Sequence, residues 1–159
     1  MHIIAFSAGT GVAVWACEAL RPPGHVHSLI LLGSSLSHNY EMTEALANIS
    51  GGVYVYHSPE DAILTGPVTT LGTIDSELGV ESAGIIGLHP KRGDRDRIYN
   101  TEWSTDFEKY GWQGGHTDPL KAQFVREVLA QHIVPDHRAQ AVTIAHETPP
   151  PPDPHEPSH

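Results

Sequence analysis

The sequence has a single cysteine, few cationic side chains and no long apolar run. Cys17 on its own excludes an intrachain disulfide, which is consistent with a reducing compartment. Only 9 lysine and arginine residues oppose 19 aspartate and glutamate residues, a formal charge of −10. This balance disfavours nucleic-acid binding, which needs a basic surface. No apolar stretch approaches the roughly 20 residues of a membrane-spanning helix. Composition therefore predicts an acidic globular protein that neither binds nucleic acid nor spans a membrane.

The end of the chain differs in composition from the rest. Proline dominates residues 149–154, and such a segment cannot build an apolar core. The histidines scattered there lack the spacing of metal ligands, so we predict no metal site. The chain is therefore expected to hold one domain over residues 1–135 and a disordered tail, rich in proline and histidine, over residues 136–159.

Residues 1–60 alternate between strand and helix patterns. Strands are predicted at residues 2–6, 26–32 and 53–56, and helices at residues 8–20 and 41–49. The second of these strands is apolar on both faces, which is typical of a buried parallel strand. The first helix carries Cys17 among apolar neighbours, so this thiol is predicted to be a small buried hydrophobe rather than a reactive group.

The second half of the chain gives weaker signals. Residues 63–83 are predicted as a long loop that can include a short helix. Residues 84–88 are predicted as a short strand, and residues 98–112 as the region of the last strand. Residues 119–133 are predicted as a helix with Pro119 in its first turn. The apolar face of that helix is expected to consist of Leu120, Phe124, Val128 and Leu129. Together the patterns predict an α/β fold, with a parallel sheet of about four strands flanked by helices.

The junction of the first strand and helix carries a candidate nucleophile. Ser7 lies between small residues in the run Ala5-Phe6-Ser7-Ala8-Gly9. A sharp strand-to-helix turn of this kind exposes one serine hydroxyl at the edge of an α/β sheet, usually in the pattern Gly-x-Ser-x-Gly. Alanine replaces the first glycine here, which is acceptable because the turn forbids bulk rather than demanding glycine.

A serine hydroxyl becomes nucleophilic only when a base takes its proton and a third group orients that base. Asp61 follows the third predicted strand, at the rim where the first strand also ends. His116 follows two glycines and precedes the last predicted helix. The chain thus offers a carboxylate and an imidazole as candidate partners for the Ser7 hydroxyl, in the order serine, aspartate, histidine.

The same residues also fit other roles. Ser7 is also compatible with an ordinary turn, Asp61 with a helix N-cap, and His116 with a surface loop. Two other carboxylates, Glu60 and the more distant Asp75, are rival acids. Asp118 is expected to cap the last helix, and Ser58 to shape the turn before Asp61.

A dinucleotide-binding interpretation fails two checks. Gly9 and Gly11 begin the pattern Gly-x-Gly-x-x-Gly, but Val14 occupies the third glycine position. No acidic residue ends the second strand, where a ribose would bind. We therefore predict no cofactor.

Three local patterns together identify a resemblance. Ala5-Phe6-Ser7-Ala8-Gly9 resembles the nucleophile elbow, Ser58-Pro59-Glu60-Asp61 the acid loop and Gly114-Gly115-His116 the histidine loop of α/β-hydrolases. From about His2 to Ile133, the chain is similar to the C-terminal half of the serine esterases and lipases of that superfamily. The resemblance implies cleavage of a small ester or acyl substrate through an acyl-serine intermediate, without a cofactor. It also implies that Ser7 is the nucleophile, His116 the base and Asp61 the orienting acid. The backbone N–H of Ala8 would then donate to the oxyanion.

The resemblance also has a gap. The family has about eight strands and places the serine after the fifth, so the N-terminal strands and the loop with the second oxyanion donor have no counterpart here. We therefore expect the first strand to be an apolar sheet edge, which invites pairing with an oligomeric copy or a second chain. A non-catalytic truncated fragment, or a module completed by a partner, is the alternative function. Localisation stays undetermined.

Overall fold

A parallel sheet of four strands organises the protein. The computed structural model describes residues 1–21, 25–68, 72–76, 78–92 and 95–134. The strands are β1 (His2–Phe6), β2 (Ser28–Leu32), β3 (Val53–His57) and β4 (Ile98–Glu102). They lie side by side in the order β1-β2-β3-β4, and each neighbouring pair is parallel. The predicted α/β class and the four-stranded parallel sheet are confirmed.

The register of the strands brings their carboxyl ends to one rim. Phe6 pairs with Leu32, Leu32 with Tyr56, and Tyr56 with Thr101. The residues that directly follow β1, β2 and β3 therefore emerge side by side, as the carboxyl ends of parallel strands do. Ser7 and Gly33 are two of these residues, and this rim is where polar side chains collect.

Short helices and turns connect the strands. The α-helices are α1 (Gly9–Ala19), α2 (Thr43–Ala47), α3 (Ala83–Ile86) and α4 (Ala122–Glu127). A π-helical turn spans Leu64–Val68. Turns of 3₁₀-helix span Arg95–Arg97, Thr105–Tyr110, Asp118–Leu120 and Leu129–His132. No helix in the described residues is long and apolar enough to cross a membrane.

The core has one layer on each face of the sheet. Because successive strand residues point to opposite faces, Leu29 and Leu31 of β2 belong to one apolar cluster, and Ile30 and Leu32 to the other. The first cluster includes Cys17, which is fully buried as predicted. Burial, and then the neighbouring Glu18 carboxylate, raises the pKa of the Cys17 thiol. Its thiolate is thereby disfavoured, in keeping with a packing role.

The predicted strand at residues 84–88 is wrong. The segment forms the helical turn α3 because its backbone bonds to loops rather than to a strand. The Gly84 N–H donates to the Ser34 carbonyl at 2.8 Å, and its carbonyl accepts from the Ser58 N–H at 2.8 Å. A Cβ at Gly84 would lie 2.6 Å from the Ser34 nitrogen, so only glycine allows this close contact.

The predicted helix at residues 119–133 is interrupted. Lys121 is extended, with ψ of 137°, and it separates the 3₁₀ turn Asp118–Leu120 from α4. This break turns Leu120 outwards, where 46% of it is exposed instead of lying on the expected apolar face. Phe124 and Leu129 are buried, as that face requires. The predicted tail at residues 136–159 lies outside the described residues.

Candidate active site

Ser7 occupies a strained turn between β1 and α1. Its φ is +54°, a region that side chains other than glycine rarely adopt. The Ser7 N–H donates to the Leu32 carbonyl at 2.9 Å, which fixes the start of the turn to β2. Positive φ in such a residue costs on the order of 1–3 kcal/mol and persists only where the surroundings enforce it.

Thr10, which the sequence patterns did not single out, stabilises this conformation by hydrogen bonds. Its backbone N–H donates to the Ser7 carbonyl at 3.0 Å, and its hydroxyl donates to the same oxygen at 2.6 Å. The buried Thr10 hydroxyl also lies 2.9 Å from the Ser34 hydroxyl, in the loop after β2. A threonine three residues after the serine is the available sequence signal, because threonine hydroxyls in helices often bond the carbonyl at i−3.

His116 joins Ser7 to Asp61. The Ser7 Oγ lies 2.9 Å from His116 Nε2, and His116 Nδ1 lies 2.6 Å from Asp61 Oδ2. The side chains of His116 and Asp61 are 11% and 3% exposed, so little water competes for these bonds. A carboxylate only accepts hydrogen bonds, so Nδ1 carries the proton and Nε2 accepts from the serine hydroxyl. The structure thus brings together all three side chains that the sequence singled out.

The ring of His116 is confined on two sides. The Phe6 ring lies 4.7 Å away between centroids at 45°. Gly33, with φ of +49°, passes so close that a Cβ there would lie 3.2 Å from His116 Nδ1. Glycine is therefore required after β2 both by its backbone conformation and by the space that the imidazole fills.

Asp61 makes two different sets of contacts with its two oxygens. Oδ1 accepts from the backbone N–H groups of Ile63 and Leu64, at 3.0 and 3.1 Å. Oδ2 accepts from His116. Asp61 therefore caps the turn after β3 and also bonds His116, because the backbone bonds fix the carboxylate that faces the imidazole.

The rival acids lie elsewhere. Glu60 is exposed, and its N–H donates to the Ser58 hydroxyl at 3.2 Å, so Ser58 shapes this turn as expected. Asp75 accepts from the N–H of Ser37 at 2.9 Å and from the hydroxyl of the same residue. Among the described residues, the carboxylate bonded to His116 is that of Asp61.

Asp118 does not cap the helical turn that begins there, so that prediction is wrong. Its side chain turns back, and Oδ2 accepts from the N–H groups of Gln113 and Gly115 at 2.9 and 3.0 Å. Oδ1 lies 2.7 Å from the ammonium of Lys121. Both carboxylate oxygens are therefore already engaged, Oδ2 by the loop before His116 and Oδ1 by Lys121. The spacing of residues in the sequence does not reveal that the side chain turns back.

Ala8 provides an available N–H beside the serine. Ala8 is exposed and directly precedes α1, and its N–H has no acceptor among the described residues. The positive end of the 11-residue helix α1 lies at this point. An anionic oxygen next to Ser7 would meet both a free donor and a favourable dipole.

The described residues contain no group of three or more histidine, cysteine or acidic side chains that could hold a metal ion.

No protein family, curated protein or solved structure matches the chain. Any functional assignment therefore depends on the geometry of Ser7, His116 and Asp61 and on the chemistry that this geometry permits.

Proposed function

We propose that the chain is a serine hydrolase of the α/β-hydrolase type, which cleaves carboxylic esters through an acyl-serine intermediate. One observation carries the proposal: an unbroken chain of hydrogen bonds from Ser7 Oγ to His116 Nε2 at 2.9 Å, and from His116 Nδ1 to Asp61 at 2.6 Å. The strained turn at Ser7 supports it, because strain of this kind clusters at reactive residues.

In the first half of the reaction, Ser7 Oγ attacks the ester carbonyl as its proton passes to His116 Nε2. Asp61 stays ionised and stabilises the imidazolium that forms. The negative charge on the carbonyl oxygen is stabilised by the Ala8 N–H, at the N-terminus of α1. Collapse of the tetrahedral intermediate breaks the bond to the alcohol, which leaves with the proton from Nε2. The acyl group is now bound to Ser7.

In the second half, water replaces the alcohol. His116 Nε2 takes a proton from the water as its oxygen attacks the acyl carbonyl, and the same imidazolium then returns the proton to Ser7 Oγ. A carboxylic acid leaves, and the resting state is restored. No step requires a redox change, so the proposal needs no cofactor.

The alternative function is a non-catalytic module that is completed by another chain. The position of β1 at the edge of the sheet favours it, because β1 pairs only with β2 among the described residues and 42% of Ile4 is exposed. If the four strands correspond to the C-terminal half of a hydrolase fold, further strands would be expected beside β1. In this alternative, the three side chains keep their geometry without turnover.

A fluorophosphonate probe distinguishes the two functions. The probe should modify Ser7 covalently, which mass spectrometry of the labelled peptide would identify, and the label should be lost in Ser7→Ala and in His116→Asn. Ser50 provides a matched control, because its hydroxyl also lies 3.1 Å from a histidine, His27, but on an exposed surface with normal backbone. Ser50→Ala should label like the wild type. An unlabelled Ser7, beside a labelled known esterase, would exclude the enzymatic proposal.

A further inference from the structure

We infer that Asp118, together with Lys121, positions His116 for proton transfer. The inference deepens the proposed function, and its kinetic consequence rests on that function. Asp118 lies two residues after His116 and touches neither Ser7 nor Asp61 by any hydrogen bond in the described structure. Its role is therefore to hold the backbone that carries the imidazole.

The carboxylate of Asp118 joins the two sides of the loop that carries His116, residues 111–121. Oδ2 accepts from the N–H groups of Gln113 and Gly115, which lie just before His116. The Asp118 N–H in turn donates to the Gly115 carbonyl at 3.2 Å. His116 is therefore enclosed in a turn whose two sides are joined through one side chain.

Lys121 connects the end of this loop to its start. Its ammonium lies 2.7 Å from Asp118 Oδ1 and donates to the Gly111 carbonyl at 2.8 Å. Gly111 and Lys121 lie at opposite ends of the segment that carries His116, so a shift of either end would break a contact with a charged group. Hydrogen bonds to ionised groups are the stronger kind, which suits a restraint of this type.

The opposite side of the loop packs against the segment that carries Asp61. Gly114 has a φ of +88°, and a Cβ there would lie 2.9 Å from the Cβ of Glu60 and 3.3 Å from the Ser58 hydroxyl. The loop thus lies between the acid loop and the Asp118 carboxylate, and it has little room to move. This packing sets the distance from His116 to Asp61 at the level of the backbone.

The charge of Asp118 persists at neutral pH. Burial raises the pKa of its carboxyl, but the bonds from Lys121, Gln113 and Gly115 outweigh this effect and leave the pKa below its ordinary value. The restraint is therefore present under the conditions in which His116 would act as a base.

Precise placement matters because His116 must reach two partners at once. A displacement of about 1 Å at a reacting group can cost about 10²-fold in rate. We expect Asp118→Ala to lower the rate of fluorophosphonate labelling at Ser7 by about 10²-fold. Asp118→Asn, whose amide oxygen still accepts from the two backbone N–H groups, should restore part of the rate. Asp106→Ala, at an exposed aspartate in the turn Thr105–Tyr110, is the control and should label like the wild type.

The tautomer of the His116 ring separates a positioning role of Asp118 from a purely stabilising one. The ring ¹⁵N shifts of His116, assigned by their loss in His116→Asn, report which nitrogen carries the proton. The folded wild type should show one tautomer with the proton on Nδ1. Asp118→Ala should show a mixture of tautomers in a protein that is still folded, and Asp118→Asn should stay close to the wild type.

The outcomes are distinct. Unchanged labelling and an unchanged tautomer in Asp118→Ala would overturn the inference. If Asp118→Ala does not fold, Asp118→Asn and Lys121→Met decide. Both should weaken labelling of Ser7, and labelling at the wild-type rate in both would overturn the inference. If the wild type itself is not labelled, the proposed function fails, whereas the tautomer of His116 in the Asp118 variants still tests the positioning role.

Discussion

At the scale of single residues, Ser7 and Asp61 each combine a role in folding with a role in the proposed chemistry. Ser7 holds a positive φ that its neighbours enforce through its own N–H and carbonyl. Asp61 divides its oxygens between two backbone N–H groups and one imidazole. In both residues, local folding and the proposed chemistry use different atoms, so substitutions can separate one from the other.

The strain at Ser7 predicts an unusual order of stability. Ser7→Gly and Ser7→Ala both remove the hydroxyl, but only glycine adopts a φ of +54° without steric cost. Ser7→Gly should therefore have the larger free energy of unfolding, by about 1 kcal/mol, in urea titrations. Ser50, which has no positive φ, should show the reverse order. Equal stabilities of the two Ser7 variants would contradict an enforced conformation.

Substitutions at Asp61 should separate its two roles. Asp61→Asn keeps an oxygen for the N–H groups of Ile63 and Leu64 but removes the charge that faces His116, so labelling of Ser7 should fall steeply, by as much as about 10⁴-fold. Asp61→Ala should lose a similar amount of labelling and a further ~1 kcal/mol of stability from the missing cap. Labelling rates and urea unfolding would measure the two effects. Labelling by Asp61→Asn at the wild-type rate would rule out the orienting role.

The residues of the site were largely predictable, and the residues that hold them were not. Ser7, Asp61 and His116 follow from local patterns next to strands and glycines. The bond from Thr10 to the Ser7 carbonyl is local, but its contact with Ser34 joins residues 24 positions apart and leaves no local pattern. The contacts of Asp118 depend on a backbone reversal through glycines at positive φ, which spacing does not reveal.

At the scale of elements, apolar strands were easier to predict than helices. β2 is buried along its whole length, so its composition alone determines it. The segment after Pro119 has helical periodicity, but Lys121 is drawn out of helical geometry while its ammonium bonds Gly111 and Asp118. Tertiary contacts thus override local preference at the element that follows the histidine loop.

The last 3₁₀ turn, Leu129–His132, is attached to β3 by a neutral histidine. His132 Nε2 lies 2.8 Å from the Tyr56 hydroxyl, and its ring centroid lies 4.0 Å from that of Tyr54. Burial, and then the electrostatic effect of Tyr54, raises the pKa of Tyr56 to about 12, so its hydroxyl keeps its proton at neutral pH. Burial lowers the pKa of His132 below its ordinary value of 6.5.

This attachment predicts acid sensitivity. Because the folded pKa of His132 lies below the unfolded value, the unfolded chain binds the proton more readily, and stability falls as the pH drops below about 6.5. Buried His57, whose pKa burial also lowers, acts in the same direction. The free energy of unfolding, measured in urea from pH 8 to pH 5, should therefore decrease towards acid. His132→Gln should flatten this dependence in part, and an unaltered slope would contradict the assignment.

At the scale of the whole molecule, the α/β class and the parallel order of the strands follow from alternating apolar patterns. Within the part of the chain that the structure describes, β1 pairs with a strand on one side only, which matches the expected edge position. Ile4 of β1 is exposed, as are Val12 and Trp15 of α1, the helix that follows β1. Unpaired, apolar edge strands associate readily.

This edge predicts self-association through β1. Ile4→Lys places a charge on the strand and should increase the monomer fraction, measured by sedimentation velocity over a range of concentrations. Leu120→Lys is the control, because Leu120 is similarly exposed, at 46%, but lies outside the sheet. A wild-type chain that stays monomeric throughout the range would contradict the prediction.

Ser7 and His116 are 109 positions apart in the chain, and their contact has a consequence during synthesis. At about 5–20 residues per second, a ribosome would take about 5–20 s to deliver the imidazole after the alcohol. Throughout that interval the nascent polypeptide of the proposed hydrolase would carry an unactivated hydroxyl. Its proposed reactivity would thus begin only after the segment around His116 has been translated and docked.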